Sequence, residues 1–540
     1  MRPTTSIVAR SVLRSLAGAL AVAACGSNGP SSSGASADGG SPEATPGGDD
    51  AADHGSVSAT YPAFTVDMPQ VAANQGIILR SPVIVTVTWP AHDPNAATWD
   101  FFADLIGPSS YWSAATSEYG VNPASSGAAN HVHMVQPLPK TMSYFDLQNF
   151  VLLSLGGMVA DSGAPEGGMN PGDAAMPEGG IEAGDGAGQL EGDAVANEAA
   201  VSEGGTEAGD GAVPEGGVDA GDGGVSDGGA SAEGGGANPP WPVPLSPDGG
   251  AEVPIVYALF IPASTTVVEP GTGRSFCSEG GLGYHDSANV NGKFVPYSIV
   301  LECASQTLPE LEESAAHELV EAVTDPFGLS ATQLGYNGFD SDHLAWSLYT
   351  GDFGNEIADV CQNWADSYYQ ESSPFPFWVQ RVWSNAHAIA GRDPCVPAPS
   401  TPYYGMTFFP AQQTRDNVDL SAAGMGTITT LGFRAPVGQP VTFQVGFYSD
   451  SPSDPWTIAY DFPQVTLSDL NFNPISNGAA TVTIDKTSGQ NGEKAYVTVT
   501  PSKAGALGFQ KMAITWDPPA GDARATGFSP HYQPVILFNK

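Results

Sequence analysis

The stretch Thr307–Pro326, TLPELEESAAHELVEAVTDP, reads as one helix. Thr307 can cap it, Glu310 can complete a capping box, and Pro309 suits the first turn, where its missing N–H costs nothing. Asp325 precedes Pro326, and a residue before proline is pushed out of the helical region, so the helix is expected to stop there. Leu308, Leu311, Ala315, Leu319 and Val323 recur at three- and four-residue steps, which makes a buried stripe. His317 and Glu321 are four residues apart, so both side chains leave the same face and can close on one metal ion. Glu318 lies about 100° further round, beside that ion, where its carboxylate can take a proton from an attacking water. The competing reading is a solvated, Glu-rich helix face that binds nothing.

Zinc peptidases of the HExxH type divide the labour in this way, with two His ligands and a Glu base. Here Glu321 stands where the second His would be. A catalytic zinc takes three protein ligands and keeps a position open. Gly354–Cys361, GNEIADVC, offers Glu356 as the third ligand from an expected second helix. Asp359, one turn on, can hydrogen-bond the free nitrogen of His317 and fix its tautomer. A plain amphipathic helix burying Ile357, Val360 and Cys361 is the alternative. Two carboxylates and one imidazole make a harder site than HExxH, so a different divalent ion, or a purely structural site, stays open beside Zn2+.

These segments resemble the Exordium (phosphate-induced protein) family and its bacterial relatives. The resemblance rests on AHELVE, the turn Thr324–Pro326, Trp346 in an expected loop, and Glu356 to Cys361. Upstream it includes SPVIVTVTWP, a helix with Phe101, Phe102 and Leu105, SSYWSAATSEYG and FCSEGGLGYHDS. It covers roughly residues 75–397 apart from a long insert. It implies a secreted, extracellular protein, and plant members are linked to cell-wall growth; it supplies no settled reaction. Because the resemblance includes the YHDS segment, His285, in an expected Gly-rich loop, becomes a candidate substrate-proximal residue.

The 540 residues carry a net charge of -41, from 58 acidic and 17 basic side chains, which excludes a general nucleic-acid binder. Much of the imbalance lies between Gly156 and Gly250, where there is no Lys or Arg and 18 acidic residues sit among Gly, Ala and Pro. That segment repeats a phrase from Met176, Val201 and Val213 at irregular spacing, so no solenoid period is kept. It lacks the apolar residues for a core and reads as a disordered, self-repelling surface insert, residues 157–250. It interrupts a domain, between an expected helix in FDLQNFVLLSLGG and an expected buried strand in VPIVYALFIP.

Residues 1–25 read as an export signal: Arg2, Arg10 and Arg14, a short apolar run, and a lipobox, Val22-Ala23-Ala24-Cys25. Cys25 is then the lipidation site and residues 26–60 a flexible tether, which places the protein in a bacterial cell envelope, lipid-anchored at the outer membrane or cell surface. The remaining Cys277, Cys303, Cys361 and Cys395 are an even number in an exported chain, which points to disulfides; 277 with 303 and 361 with 395 is the more local pairing. His131 and His133 alternate on an expected strand and read as a surface or substrate-facing pair, while His343 is a fallback ligand should Glu356 not serve.

The expected architecture is an α+β zincin-like domain over residues 61–397 with the long disordered insertion, then an all-β immunoglobulin-like sandwich of about seven strands over 400–540. Trp456 and Trp516 are read as core residues rather than a glycan-binding face. Two function classes follow: a surface-anchored metallohydrolase, most readily a peptidase, with Glu318 as base and His317, Glu321 and Glu356 as ligands to one ion; or a non-enzymatic extracellular matrix, adhesion or signalling protein. The partners expected are the membrane, through lipid, and an extracellular protein or polysaccharide. Replacing Gly163–Gly236 with a short Gly/Ser loop should leave folding and metal binding intact. A circular-dichroism melt and a metal titration of the shortened protein check this.

Overall fold

The computed structural model describes residues 53–74, 76–156, 238–242, 254–269, 273–279, 281–290, 293–327, 334–350, 356–362, 364, 366–421, 426–463, 476–519 and 531–540. The expected signal segment with Cys25, and nearly all of the insert, lie outside these residues.

Five strands make the central sheet: β1 (Val83–Thr88), β2 (His131–His133), β3 (Ile255–Ile261), β4 (Gly283–Val290) and β5 (Lys293–Leu301). Their order is β2-β1-β3-β5-β4. β1, β2, β3 and β5 run parallel, and β4 folds back antiparallel on β5, so the sheet is mixed. All seven side chains of β3 are buried, as expected of a strand covered on both faces. Its alternate residues enter two different cores. Val256, Ala258 and Phe260 face one side, with Trp99, Phe102, Trp112 and Leu319. Tyr257, Leu259 and Ile261 face the other, with Leu147, Val151 and Trp241. The first side therefore holds α1 (Ala96–Ile106), α2 (Ser110–Thr116) and α4 (Leu308–Thr324), and the second holds α3 (Tyr144–Ser154). α3 is the helix expected before the insert and β3 the strand expected after it. Ser143 and Asp146 close a capping box at the start of α3.

Beyond Ser400 the described strands form a four-stranded and a six-stranded sheet. Each of the seven alternating runs of the sequence lies in a strand. Tyr404–Phe408, Thr414–Asp419 and the two-residue Ser488–Gly489 are added to them. All five residues of Tyr404–Phe408 are buried. The two sheets share one core: Phe408, Phe443 and Val497 from the first meet Phe433, Trp456 and Trp516 from the second. Phe433 and Phe443 stack at 4.1 Å. The two tryptophans are buried core residues.

The sandwich is not an appendage on a linker. Trp346, Trp364 and Trp383 share a core with Tyr403, Tyr448 and Tyr532, and Tyr532 stacks on Tyr349 at 4.0 Å. Trp346 lies in a helix, Leu344–Thr350, where the sequence suggests a loop. The expected tether is shorter than residues 26–60, because the chain from Asp53 onward is tied to the sandwich. Asn491 accepts from Ala63 N–H and donates to Ser58 and Thr60 carbonyls, and Lys494 N–H donates to the His54 carbonyl. Residues before 53 lie outside the described set. Cys277 is bonded to Cys303 and Cys361 to Cys395. The disulfides fit an oxidising compartment such as the periplasm or cell exterior. Among the described residues no helix is long and apolar enough to cross a membrane.

His343 ties the entering segment to the domain. Its Nδ1 meets Asp340 at 2.8 Å and its Nε2 meets Asp67 at 3.1 Å, so both ring nitrogens serve carboxylates. Burial works against its charge, but the hydrogen bonds and charges of Asp340 and Asp67 outweigh it and raise the pKa to about 9. Because the folded-state value is the higher one, its contribution is complete below the unfolded pKa of roughly 6.5 and disappears as pH rises through about 9, a span worth on the order of 3 kcal/mol. The difference in thermal stability between the native chain and His343→Asn should therefore be large at pH 6 and small at pH 10, read from paired thermal melts.

Candidate metal centre

α4 is built as its sequence suggests. The Glu310 carboxylate accepts from Thr307 N–H at 2.7 Å and from its hydroxyl at 2.9 Å, which fixes the first turn. Leu311, Ala315, Leu319 and Val323 are buried, and the helix ends at Thr324 with Asp325 as its C-terminal cap. β4 runs close beside this helix because Gly283 has no side chain. A Cβ there would stand 2.7 Å from Glu318 Cγ and 2.8 Å from the Ile299 carbonyl oxygen. That approach sets His285, two residues along β4, against the carboxylates of α4; it is on a strand, not in the expected loop.

His317 Nε2 is 2.9 Å from Glu321 Oε2 and 3.6 Å from Asp359 Oδ1. These three side chains bring one ligand atom each to within 4.8 Å of one another, a separation that a single ion can span. Glu321 Oε1 accepts from the backbone N–H of Asp359 at 3.1 Å. The Nδ1 side of His317 is held by Gln380, whose Oε1 lies 3.0 Å away. The Gln380 amide nitrogen donates to the Ala358 carbonyl at 2.7 Å, so its oxygen must face the ring. His317 therefore carries its proton on Nδ1 when neutral and points the Nε2 lone pair at Glu321 and Asp359, the disposition of a metal-ligating histidine. Imidazole plus two carboxylates is a donor set for Zn2+ or a harder divalent ion.

His285 forms a second edge of the site. Its Nδ1 is 3.5 Å from Glu318 Oε2 and 3.6 Å from Glu321 Oε2, and these three residues also satisfy the spacing for one ion. Its Nε2 lies 3.1 Å from the Asp325 carbonyl oxygen and 3.3 Å from Glu356 Oε2. Glu356 Oε1 and Asp325 Oδ2 both accept from the side-chain amide of Asn337, at 3.0 and 2.9 Å.

Two imidazoles thus share a buried pocket with Glu318, Glu321, Asp325, Glu356 and Asp359. Burial opposes the charge on both histidines, yet the carboxylates hold them protonated: Glu321 raises His317 well above the usual value, and Glu318 and Glu321 raise His285 to about 9. Burial pushes Glu356 well up, reinforced by the charges of Glu321, Asp325 and Asp359. Burial also raises Glu318 and Asp325. Glu321 goes down despite its burial, because His317 lies against it. The pocket balances its charge with protons, and protons on ligand atoms are what a divalent cation displaces.

The sequence-predicted residues separate into two groups. His317, Glu318 and Glu321 come together as the helix spacing requires. Asp359 joins His317 on the Nε2 side, the same nitrogen that faces Glu321, while Gln380 takes the orienting position at Nδ1. Glu356 sits before a single helical turn, Asp359–Gln362, in an isolated bridge to Asn337, and reaches the cluster through His285 and a hydrogen bond to Glu321. Asp359 opens that turn, and its Oδ2 accepts from Glu356 N–H at 3.4 Å. His131 and His133 face Asp104 and Asp100 of α1, and His343 faces Asp340 and Asp67, all outside this pocket. Gln380 carried no signal in the sequence, because a lone Gln on a short strand is ordinary until its partner is known. Comparison with protein-family models, curated proteins and solved structures finds no match.

Replacing Gln380 with Leu should weaken divalent-metal affinity roughly 10- to 100-fold, because the ring loses the group that fixes its tautomer. Calorimetric titration of the metal-free protein measures it, and the disulfide-bonded fold should persist.

Proposed function

We propose that this chain is an exported, surface-anchored, zincin-like metallohydrolase, most simply a peptidase. Its ion is held by His317, Glu321 and Asp359, with Glu356 as a neighbouring carboxyl. The observation that carries the reading is the convergence of His317 Nε2, Glu321 Oε2 and Asp359 Oδ1 around the buried Glu321, with the far side of the ring pinned by Gln380. A divalent ion there supplies a Lewis acid that polarises a carbonyl and makes a water more acidic. Glu318 stands one residue round the helix and receives the proton of the attacking water. Its burial raises its pKa, which suits a group that accepts a proton and then passes it on. The Exordium-like resemblance, the lipid anchor at Cys25 and an immunoglobulin-like style for the sandwich belong to the same proposal.

One observation favours the second reading, a non-enzymatic extracellular matrix, adhesion or signalling protein with a structural ion. Glu318, Glu321, Glu356 and His285 are each less than a tenth exposed among the described residues, whereas a catalytic ion needs an open position. Metal content and turnover separate the two. The full chain with Cys25→Ala, dialysed against trace zinc, should retain at least one divalent ion, and His317→Ala should release it. Elemental analysis finding no metal would sink both forms of the proposal. Glu318→Gln should keep the metal and lose at least about a hundredfold in hydrolysis of a fluorogenic peptide library. Full activity in that variant would remove Glu318 as base, and bound metal with no hydrolysis of any peptide would leave the structural reading.

A further inference from the structure

The site holds more donors than one ion uses. Around Glu321 Oε2 the ligand atoms fall into two sets that share only that oxygen. His317 Nε2 and Asp359 Oδ1 lie on one side, His285 Nδ1 and Glu318 Oε2 on the other. We propose that the pocket is a dinuclear centre: one divalent ion on His317, Glu321 and Asp359, a second on His285, Glu318 and Glu321, with the Glu321 carboxylate as the bridge. The inference rests on the metal-binding reading above and adds a second ion to it.

Three observations carry it. The first is spacing. Ligand bonds of about 2.0–2.2 Å place neighbouring donors of a tetrahedral or octahedral ion roughly 2.8–3.6 Å apart. The separations across Glu321 Oε2 and within the sets are 2.9, 3.5, 3.6 and 3.6 Å. The second is the orientation of His285, which repeats that of His317. A metal-ligating histidine hands its other ring N–H to a carbonyl or carboxylate. His285 Nε2 lies 3.1 Å from the Asp325 carbonyl oxygen, so its Nδ1 lone pair faces Glu318 and Glu321. Each set then has one imidazole held from behind by a fixed oxygen, Gln380 Oε1 for one and Asp325 O for the other. The third is charge. Four buried carboxyls, Glu318, Glu321, Asp325 and Glu356, and the part-buried Asp359 face two imidazoles, and one divalent ion leaves a deficit of positive charge that a second largely fills.

Paired divalent ions a few ångströms apart would hold the attacking water and polarise the carbonyl or phosphoryl oxygen, so the centre would fit hydrolysis of an ester, amide or phosphate as well as a structural cross-link. In this form Glu318 is a ligand of the second ion, so Glu318→Gln should keep the ion on His317 and weaken the one on His285. One imidazole and two carboxylates per ion favour manganese, zinc or ferrous iron over thiophilic metals.

The test loads the full Cys25→Ala chain with Mn2+ after removal of metal and counts ions by elemental analysis. Two per chain are expected, falling to one in His285→Ala while the thermal melt stays cooperative. Electron paramagnetic resonance of the native loaded chain needs no variant, and two ions on a shared carboxylate should give an exchange-coupled spectrum in place of the hyperfine pattern of an isolated ion. A count of one, or an uncoupled spectrum, overturns the dinuclear centre; the single-ion proposal stands if His317→Ala releases that one ion and falls if only His285→Ala does. A count of zero overturns both.

Discussion

Glu321 is a carboxylate with almost no access to solvent, and the surrounding structure is arranged to make that tolerable. A buried carboxylate without partners is costly enough that it protonates or the fold gives way. Here one oxygen takes the N–H of Asp359 and the other faces His317 and His285. Each of those partners is held in turn. Gln380 orients His317, the Asp325 carbonyl orients His285, and the Cys361–Cys395 bond secures the turn that carries Asp359. Loss of His317 would leave the Glu321 carboxylate short of a cationic partner in a low-dielectric interior.

The convergence depends on the sheet. β5 leads into α4, and β4 doubles back beside it, so His285 reaches Glu318 and Glu321 from the sheet edge while the 378–380 strand brings Gln380 from the other side of the helix. Trp378 N–H donates to Glu312 at 3.0 Å and registers that strand against α4. The C-terminal sandwich supports this side of the domain through Trp346, Trp364, Trp383 and Tyr532, and the segment from Asp53 is strapped across it. The domain that carries α4 and the sandwich therefore brace one another instead of acting as separate beads.

Much of this was legible from local patterns. The α4 stripe, its cap and its stop follow from side-chain spacing and proline sterics. β3 follows from an unbroken apolar run, and the seven sandwich runs from short alternating stretches between turn residues. The cysteine pairs follow the shorter separations. What was less legible has a common physical character. Tyr404–Phe408 is only five residues long, and its place in the sheet comes from pairing with a strand about forty residues on. Glu356 forms an isolated bridge to Asn337, 19 residues away, a pairing that no local pattern announces. Asp53–Thr60 looks like linker by composition, yet its backbone groups find partners on the sandwich that composition does not encode.

The sequence by itself determined which residues can share a helix face, because i to i+4 geometry is local: His317, Glu318 and Glu321 are adjacent in any fold that keeps α4. It also determined the kind of chemistry on offer, since imidazole beside carboxylates is a property of residue type. Only the tertiary structure decided the company those residues keep. His285, Asp359 and Gln380 arrive from positions 32 to 63 residues away from His317, through an antiparallel edge strand, a disulfide-held turn and a short strand. Which atoms then face one another is set by strand order and close approach at Gly283, and no local pattern of side chains carries that information.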